Sequence, residues 1–437
     1  MDTKKLYEIF IQNPVITTDS RNIPVGSLFF ALKGENFDGN TFAEEALYKG
    51  AAYSIIDDKK YQSSSKTILV ENVLKSLQDL SRYHRQQFNI PVIGITGTNG
   101  KTTTKELSNA VLSKKYRVVC TQGNLNNHIG VPLTLLKIQN DTELVIIEMG
   151  ANHSGEIKFL CDIALPTHGL ITNIGKAHLE GFGSFEGVVH TKKELYDFLI
   201  NTKGKIFANA DNTILTNLLE SYEYTGYGNG TENICVLKNL SAEPFLEIQV
   251  FFLKKEDMQE IFEEVQLKSN LIGAYNTENI LAAACMGYYF NVPVKDIQDA
   301  VLNYQPSNNR SQYIITKHNE IIMDAYNANP TSMKASIENF ASINKKNKVL
   351  ILGDMLELGD YSKEEHLLII SIVNKAGFEN CIFIGNEFYK IVSTKEVQIF
   401  ENIEKFIIFT KLNPIKNSFI LIKGSRGIRL EKSLDYL

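Results

Sequence analysis

The stretch ITGTNGKTTTKE at residues 95–106 combines glycines, a lysine and hydroxyl side chains in an order that suits phosphate binding. The usual phosphate loop is spelled G-x-x-x-x-G-K-[ST], so with Lys101 as its lysine the first glycine should stand at position 95. An isoleucine stands there, and the glycines are Gly94, Gly97 and Gly100. The displaced glycine argues against an ordinary loop of the GTPase or kinase kind, but not against nucleotide binding.

The predicted neighbours of this loop are a buried strand before it and a helix after it, which is the context that a phosphate loop requires. Glycines let backbone N–H groups turn toward phosphate oxygens, and the helix N-terminus adds a partial positive charge. The lysine would neutralise the outer phosphates, and the next threonine could offer a hydroxyl to Mg²⁺. A tight turn with a solvated lysine fits this context less well. The residues predicted to hold ATP here are Gly97, Thr98, Asn99, Gly100, Lys101, Thr102 and Thr103.

Three further side chains could take part in the same chemistry. Glu148 ends the predicted strand ELVIIEMG, where a carboxylate would face the loop and offer Mg²⁺ a hard oxygen, although a solvated strand-end acid is the commoner case. His178, in NIGKAHLEGFGS, follows another strand end, but a lone histidine is more often structural and Mg²⁺ prefers oxygen. Lys192 stands in the predicted helix GVVHTKKELYDF, and composition alone predicts an exposed lysine.

The elements that must position these residues form two α/β series. In residues 90–210 the apolar runs IPVIGIT, LVIIEMG, GLITNIG and KIFANAD alternate with helical segments, which predicts buried parallel strands with active groups at their carboxyl ends. A second series follows with IIMDAYN, KVLILGDM, CIFIGNE and FILIKGS. Between the two, residues 232–270 are predicted to add antiparallel strands to the first series, and NTENILAAACMGYYF is predicted to be a helix.

We therefore predict an α/β protein of three domains. Residues 1–88 form a small mixed α/β unit that ends in the helix LKSLQDLSRYHRQQF, residues 89–305 a central P-loop-type ATP-binding domain, and residues 306–437 a Rossmann-like α/β domain. A chain of 437 residues exceeds what one hydrophobic core usually serves, which supports the division.

Composition excludes several classes of function. A net charge of −5 gives no electrostatic case for binding nucleic acid or an anionic membrane. No apolar run is long enough to span a membrane, and the N-terminus lacks the apolar region of a signal peptide. The five cysteines are scattered, without a C-x-x-C pair, which favours reduced thiols in a cytoplasmic protein over disulfides or a zinc site.

The spelling TGTNGKTT, together with the segments that follow it along almost the whole chain, resembles the Mur ligases, the enzymes that build the peptide stem of bacterial cell-wall precursors. The resemblance implies ATP and Mg²⁺ as cofactors and a carbamate on one lysine, made from CO₂ and the neutral amine. The family's order of lysine, any residue, glutamate selects Lys192 over Lys193. The implied catalytic residues are Lys101, Glu148, His178 and Lys192, and the implied metal ligands are Thr102, Glu148, His178 and Lys192.

The resemblance also assigns nucleotide contacts in the second half of the chain. Asn276 and Asn279, in GAYNTENILAAA, correspond to two asparagines near adenine, although Tyr275 stands where the family commonly has histidine. Arg310, after QPSNN, is expected at the γ-phosphate. Asp324 is expected to accept a ribose hydroxyl, with Tyr326 beside it. GDMLELG (353–359) and KGSRG (423–427) correspond to loops that close over the nucleotide and the incoming amino component.

Substrate contacts follow in the same way. TDSRNIPVGSLFFALKGENFDGNTF resembles the family's nucleotide-sugar domain, in which Ser20, Arg21 and Lys33 would hold a UDP diphosphate. GNLNNHIGVPLTLL offers loop amides near the phosphate loop, and YNANP most resembles the member that adds D-alanyl-D-alanine to UDP-N-acetylmuramoyl-tripeptide. The further substrate residues are therefore Asn124, Asn126, Asn127, Asn327 and Asn329.

The expected reaction is ATP-dependent amide formation through an acyl phosphate, catalysed by a cytoplasmic monomer that binds no nucleic acid. Another Mur ligase would add a different amino acid, and folylpolyglutamate synthase shares the core chemistry. The nucleotide-sugar segment argues against the folate enzyme, and the absence of D-N-P-R argues against the diaminopimelate-adding ligase. A nucleotide-binding regulator without catalysis is a third alternative, opposed by the joint presence of the five catalytic and metal-binding candidates.

Overall fold

The computed structural model describes residues 1–256, 259–306, 309–391 and 398–437. Three main sheets lie one after another along the chain, each covered by helices, which confirms the predicted three-domain α/β architecture. Ser307 and Asn308, in the segment before Arg310, lie outside the described residues. In the part of the chain that is described, no helix is both long and apolar enough to cross a lipid bilayer.

The N-terminal unit is a parallel sheet of order β1-β2-β5-β6 with two helices on one face. Leu6 of the first helix and Leu77 and Leu80 of the third meet over this sheet, since apolar side chains recur at helical spacing. The elements are α1 Thr3–Gln12, β1 Ile16–Thr17, β2 Leu28–Phe30, β3 Lys33–Gly34, β4 Phe37–Asp38, α2 Ala43–Tyr48, β5 Tyr53–Ile56, β6 Thr67–Leu69 and α3 Val73–Arg85.

The central unit begins with the strand before the phosphate loop and holds nine strands. Its elements are β7 Val92–Thr96, α4 Lys101–Leu112, β8 Val118–Cys120, α5 Gly130–Leu135, β9 Leu144–Glu148, α6 Glu156–Ala164, β10 His168–Ile171, α7 Leu179–Phe182, α8 Phe185–Thr202, β11 Lys205–Asn209, α9 Thr213–Asn217, β12 Thr225–Gly228, β13 Cys235–Ala242, β14 Phe245–Glu256, β15 Gln259–Ile272, α10 Thr277–Tyr289 and α11 Val294–Asn303.

The strand order β15-β14-β13-β12-β11-β10-β7-β9-β8 explains where the site lies. After β7 the chain crosses to one side of it to make β8 and β9, and then returns to the other side to make β10. Ligands of open α/β sheets bind at the carboxyl ends of the strands where the order reverses in this way. The loop after β7 therefore lies between the ends of β9 and β10. The strands β13, β14 and β15 pair in antiparallel fashion at the far edge, as predicted for residues 232–270.

The C-terminal unit is a six-stranded sheet of order β16-β17-β21-β18-β19-β20, parallel except for the edge strand β16. The second α/β series predicted from the sequence is thus confirmed as one sheet. Its elements are β16 Gln312–Ile315, β17 Glu320–Asp324, α12 Pro330–Ser342, β18 Lys348–Gly353, α13 Ser362–Lys375, β19 Cys381–Ile384, α14 Asn386–Ile391, β20 Gln398–Phe400, α15 Ile403–Leu412 and β21 Phe419–Lys423.

The units share apolar cores at both junctions. Leu136, just after α5, is buried in the core of the N-terminal unit, with Ile129 and Leu133 packed against it. Ile272 at the end of β15 is buried in the core of the C-terminal unit, and Phe245 packs against that core. The central unit is therefore held to each neighbour by buried apolar surface, which stabilises by about 25 cal/mol per Å².

Candidate active site

The backbone of the phosphate loop takes a form that needs glycine at two positions. Gly97 has φ +144° and Gly100 has φ +79°, in the region that L-residues rarely adopt. Space excludes side chains there too, since a Cβ on Gly97 would collide with Thr172 and one on Gly100 with Asn279. The N-cap residue of α4 is Gly100, which has no side chain to accept the first-turn N–H groups, so these groups and the partial positive charge of the helix are available to a ligand.

Residues at the end of the neighbouring strand β10 fix the loop. The N–H of Thr98 donates to the Asn173 carbonyl at 2.9 Å, and that of Asn99 donates to Asn173 Oδ1 at 3.0 Å. Thr172 Oγ1 donates to the Asn99 carbonyl at 2.6 Å. The sequence did not single out Thr172 and Asn173, which directly follow β10, although their position at the carboxyl end of a predicted strand was the available signal.

Lys101 folds back over the loop that precedes it. Its Nζ donates to the carbonyls of Gly97 at 2.7 Å and Thr98 at 3.0 Å. Burial lowers the pKa of Lys101 to about 8, against the opposing effect of Glu148, and the positive charge of Arg310 lowers it further. A cation held among carbonyls, with a second cation close enough to shift its pKa, is an arrangement that an anionic phosphate would relieve.

Glu148 ends β9 beside this loop and is buried, at 1 % exposure. Its Oε1 accepts hydrogen bonds from Thr102 Oγ1 at 3.2 Å and Asn126 Nδ2 at 2.9 Å. Among the described residues its Oε2 has no hydrogen-bond partner, and the buried Lys105 Nζ approaches it only to 3.6 Å. A buried carboxylate oxygen without a hydrogen bond costs free energy unless something binds it. Glu148 and Thr102 therefore fit the oxygen donor set that Mg²⁺ prefers.

The sequence motifs did not predict a role for Lys105. It lies one helical turn beyond Lys101 on α4 and is 1 % exposed, which is rare for a lysine. Its Nζ donates to the Gly123 carbonyl at 3.2 Å and faces Glu148. The spacing i, i+4 from Lys101 puts both lysines on one face of the helix, and this was the signal that could have revealed it.

The two asparagines predicted near adenine are buried at the start of α10. Thr104 Oγ1 donates to Asn279 Oδ1 at 2.9 Å, Asn279 Nδ2 donates to Asn276 Oδ1 at 2.8 Å, and Asn276 Nδ2 donates to the Ile272 carbonyl at 2.8 Å. This series of hydrogen bonds connects α10 to α4 next to Gly100. Tyr275, beside them, shares a hydrogen bond at 2.8 Å with Ser311 Oγ in the C-terminal unit.

The two adjacent lysines of α8 have opposite environments. Lys192 is 2 % exposed, contrary to the reading from composition alone, and its Nζ lies 5.5 Å from the centroid of the Phe182 ring. In the described part of the chain no carboxylate forms an ion pair with it. Burial lowers the pKa of Lys192 to about 7, and Lys101 lowers it too, against the pull of Glu156 and Glu194. Lys193 pairs with Asp197 one turn along the half-exposed face of the same helix.

Glu194, the glutamate of the lysine–any–glutamate pattern, has a structural partner. Its carboxylate accepts the N–H of Gly155 and that of Lys158, both at 2.8 Å, and so caps the N-terminus of α6. A carboxylate at this position satisfies two orphan donors and complements the helix dipole. The cap holds α8 against α6 and thereby fixes which face of α8 carries Lys192.

His178 lies where the central and C-terminal units touch. Its Nδ1 lies 2.5 Å from Glu357 Oε2, but among the described residues this nitrogen has no partner in hydrogen-bond geometry. The contact with His178 holds the pKa of Glu357 below its ordinary value. Both residues have left-handed backbones, with φ +50° and φ +64°. Phe182 packs edge-on against the His178 ring with its centroid at 6.3 Å, and so lies close to both His178 and Lys192.

The C-terminal unit reaches the phosphate loop directly. Asn329 caps α12 through the N–H of Ser332 at 2.9 Å, and its Nδ2 donates to Asn99 Oδ1 at 2.8 Å. A second contact between the two units joins Lys176, after β10, to Glu365 of α13, which is 3 % exposed, at 2.7 Å. The YNANP segment therefore contains a helix cap and also contacts the phosphate loop.

Three other predicted nucleotide residues of the C-terminal unit line the same space. Asp324 accepts from Lys423 Nζ at 2.6 Å, from the N–H of Ser311 at 3.2 Å and from Ser336 Oγ at 3.2 Å, so about one of its four lone-pair sites is left for a further donor. The guanidinium of Arg310 stacks 3.7 Å from the centroid of the Tyr326 ring. Arg310 Nε is buried and has no hydrogen-bond partner in the part of the chain that the structure describes.

The remaining predicted substrate residues divide into two groups. Asn124, Asn126, Asn127 and Asn327 border the phosphate-loop space, although Asn127 Oδ1 also accepts two backbone N–H groups and so stabilises its own turn. Ser20, Arg21 and Lys33 do not reach it. Arg21 pairs with Asp19 and holds the pKa of that carboxyl at about 2, and Lys33 pairs with Asp57 at 2.8 Å.

One cavity of about 1340 Å³ joins these groups, with walls from all three units. A single small ligand usually occupies 300–1,000 Å³, so this space can hold more than one. The cavity is lined by Thr102, Glu148, His178 and Arg310. Lys192 is buried and is not among the lining residues. The described residues contain no cluster of three or more His, Cys, Asp or Glu side chains able to hold a metal ion without other ligands.

Comparison with known proteins identifies the family. The description "Mur ligase middle domain" matches residues 95–287, "Mur ligase, glutamate ligase domain" residues 309–426, and "Mur ligase family, catalytic domain" residues 14–94. The chain belongs to the Mur ligase family. The UDP-N-acetylmuramoyl-tripeptide–D-alanyl-D-alanine ligase of Bacillus subtilis (strain 168) is 35% identical over 95% of this chain and 91% of its own length. The ligase of that name from Escherichia coli (strain K12) is 32% identical over 95% and 92%.

Solved Mur ligase structures share the whole fold. MurF from Acinetobacter baumannii superposes with a TM-score of 0.84 at 27% identity, over 96% of this chain and 92% of that one. MurF from Thermotoga maritima in complex with ADP gives a TM-score of 0.82 at 28% identity, over 98% and 97%. Folylpolyglutamate synthase of Mycobacterium tuberculosis, at 13% identity and a TM-score of 0.62, covers 83% of this chain and 94% of that chain and shares the fold alone.

Proposed function

We propose that this Mur ligase uses ATP to join D-alanyl-D-alanine to the C-terminal carboxylate of UDP-N-acetylmuramoyl-tripeptide. The observation that carries the proposal is the phosphate loop of Lys101 and Thr102 beside Glu148, in a cavity that the C-terminal unit closes. Relatives that bear the name of this activity match the chain over nearly its full length, at 30–35% identity. A cavity of about 1340 Å³ agrees with a site for several ligands.

The chemistry follows from what the site must overcome. A peptide carboxylate is anionic and resists attack by an amine, so it is first phosphorylated by the γ-phosphate of ATP. The dipeptide amine then adds to the acyl phosphate, and the tetrahedral intermediate expels phosphate. The negative charge of the phosphoryl group in transfer is stabilised by Lys101, Arg310 and the first-turn N–H groups of α4, because these positive groups are already in place around it. Contact between the C-terminal unit and the loop excludes water that would hydrolyse the acyl phosphate.

Mg²⁺ is the cofactor that the donor set fits. Thr102 Oγ1 and the two oxygens of Glu148 are the first candidates, with His178 and Lys192 as the predicted ligands of a second ion. Bound Mg²⁺ would neutralise phosphate charge and orient the γ-phosphoryl group. Because the described residues hold no cluster sufficient for a metal, we expect much of its coordination to come from ATP phosphates and water.

The carbamate on Lys192 is the finer part of the proposal. A buried lysine without an ion pair, close enough to Lys101 for mutual repulsion, is destabilised as a cation. Reaction of its neutral amine with CO₂ forms a nitrogen–carbon bond and releases one proton, and so replaces the cation with an anionic oxygen group. That group suits Mg²⁺ and would attract Lys101 instead of repelling it.

The remaining assignments stand as proposals from the family resemblance. The domains divide at residues 88/89 and 305/306, and Ser20, Arg21 and Lys33 hold the UDP end of the substrate outside the main cavity. Asn276, Asn279, Asp324 and Tyr326 contact the nucleoside. The enzyme works as a monomer in the cytoplasm, where thiols stay reduced.

Phosphate release from ATP tests the function. Turnover should require UDP-N-acetylmuramoyl-tripeptide and D-alanyl-D-alanine together, and omission of either should remove it. Turnover with another amino acid would indicate another Mur ligase, and turnover with folate and glutamate would indicate the folate enzyme. Binding of ATP without turnover in any mixture would favour a regulator.

A further inference from the structure

Arg426 is a cavity-lining cation without an individual role predicted from the sequence. It follows β21 in the KGSRG loop, is exposed, and borders the large cavity. Its guanidinium lies 5.3 Å from the centroid of the Tyr326 ring, which also carries Arg310 at 3.7 Å. In the described part of the chain Arg426 forms no ion pair with a carboxylate, so its charge is available to a ligand.

The other lysines and arginines that line the cavity have partners or lie at the phosphate end. Lys101 folds over the phosphate loop, and Lys423 is bound to Asp324 at 2.6 Å. Arg310, expected at the γ-phosphate, stacks 3.7 Å from the centroid of the Tyr326 ring, and its charge also lowers the pKa of Lys101. Arg426 is the cation of this set left for a second anionic group.

The loop that carries Arg426 is held firmly. Ser425 Oγ accepts the N–H of Leu356 at 3.0 Å, and the N–H of Ser425 donates to the Asp354 carbonyl at 3.0 Å. A Cβ on Gly424 would lie 2.9 Å from the Cα of Gly353, so the backbones at the ends of β21 and β18 nearly touch. Hydrogen-bonded and closely packed backbone just before an exposed arginine favours a positioned binding group over a freely moving surface charge.

The chemistry of the incoming dipeptide requires such a group. D-alanyl-D-alanine attacks through its amine, which must be uncharged, and its side chains are methyl groups. Its carboxylate is therefore the one charged group by which the protein can bind the reacting dipeptide. An extended dipeptide spans at most about 7 Å, so the carboxylate must be bound in the same cavity as the reacting centre. The planar fork of arginine matches a carboxylate with two parallel hydrogen bonds.

We propose that Arg426 binds the C-terminal carboxylate of the incoming dipeptide and thereby orients its amine toward the acyl phosphate. The assignment rests on the proposed function. The two arginines at the Tyr326 ring then have different roles. Arg310 binds the nucleotide phosphates, and Arg426 binds the carboxylate of the amino component.

The test compares Arg426→Met with Arg429→Met, a matched loss of one positive charge three residues along. Arg429 is exposed and does not line the cavity. Steady-state phosphate release is measured while the dipeptide and ATP are varied separately, and D-alanyl-D-alaninamide, which lacks the carboxylate, serves as the probe. Circular dichroism and thermal unfolding confirm that each variant is folded.

Loss of a charged hydrogen-bonded pair should raise the KM for the dipeptide by on the order of 10- to 100-fold in Arg426→Met, with the KM for ATP within about twofold. The wild type and Arg429→Met should prefer the dipeptide to its amide, whereas Arg426→Met should not, and Arg426→Lys should recover part of the preference. An unchanged preference in Arg426→Met, or an equal rise in both KM values, would overturn the assignment. If the wild type does not turn over the dipeptide at all, the proposed function itself fails.

Discussion

Replacement of Lys192 by alanine separates the two readings of this residue more sharply than any other change. A lysine with only a packing role would lose some stability when truncated, whereas a carbamate that binds metal would lose turnover. Lys193→Ala is the matched control, because the same side chain is removed one position along and only an i,i+4 pair with Asp197 is lost. Such exposed pairs contribute about 0.3–0.5 kcal/mol.

The structure gives the size of the chemical bias toward the carbamate. A lysine of ordinary pKa 10.5 is about 0.03 % neutral at pH 7, whereas the pKa of about 7 at Lys192 makes the amine about 50 % neutral. The reactive fraction therefore rises on the order of 1,000-fold. Lys192→Ala should lower kcat by at least about 100-fold, the effect of losing about 2.7 kcal/mol of transition-state stabilisation.

Two assays measure this. Phosphate release gives kcat for the wild type and both variants, and ¹³C NMR in ¹³C-bicarbonate should show a carbamate carbon in the wild type and in Lys193→Ala but not in Lys192→Ala. Formate or acetate can supply a carboxylate in place of the missing group, so partial recovery of Lys192→Ala in their presence would support the mechanism without being required by it.

Equal turnover of Lys192→Ala and Lys193→Ala would refute the reasoning, whatever the NMR result. A carbamate signal that persists in Lys192→Ala would place the modification elsewhere. Unfolding in urea supplies the last control, because a variant that is inactive only because it is unfolded decides nothing about the metal site.

Three further predictions concern the loop and the fold. Lys101→Ala should lower turnover by orders of magnitude in phosphate-release assays while the protein stays folded by circular dichroism, and near-normal turnover would remove the loop from catalysis. Gly100→Ala should lower the free energy of unfolding in urea by about 1–3 kcal/mol, since its Cβ meets Asn279; Gly123→Ala, with positive φ but open space, should cost less, and equal costs would contradict the role of the clash. Burial lowers the pKa of His168 to about 4, so its neutral form stabilises the fold fully above about pH 6.5, and this is lost as the pH falls toward 4. Relative to His168→Phe, the wild type should lose about 2 kcal/mol of unfolding free energy between pH 7 and pH 5, and parallel pH profiles would exclude the linkage.

The sequence predicted the parts of the site that local patterns determine. Apolar runs with polar ends gave the strands, and the glycines with Lys101 gave the phosphate loop, because a strand–turn–helix is fixed by residues close together in the chain. The burial of Lys192 could not be predicted, since it depends on the capping of α6 by Glu194 and on Phe182, which only the tertiary packing brings near.

Contacts between domains could not be predicted from the sequence for the same reason. His178 and Glu357 stand 179 positions apart, and nothing in either segment indicates that their side chains meet. Asn329 shows both kinds of contact, since Asn-Pro-Thr-Ser is typical of a helix N-terminus, whereas the bond of Asn329 to Asn99 depends on tertiary packing. A residue that satisfies a local rule can thus carry a long-range contact that the rule does not reveal.

These long-range contacts indicate how the three ligands are coupled. Asn99 lies in the phosphate loop and bonds to the residue that caps α12, so the position of the C-terminal unit depends on the conformation of the loop. The same unit carries Arg426, proposed to hold the dipeptide, and Arg310, whose charge acts on Lys101. A phosphate bound between Lys101 and Arg310 would convert mutual repulsion into shared attraction and draw the unit toward the central sheet.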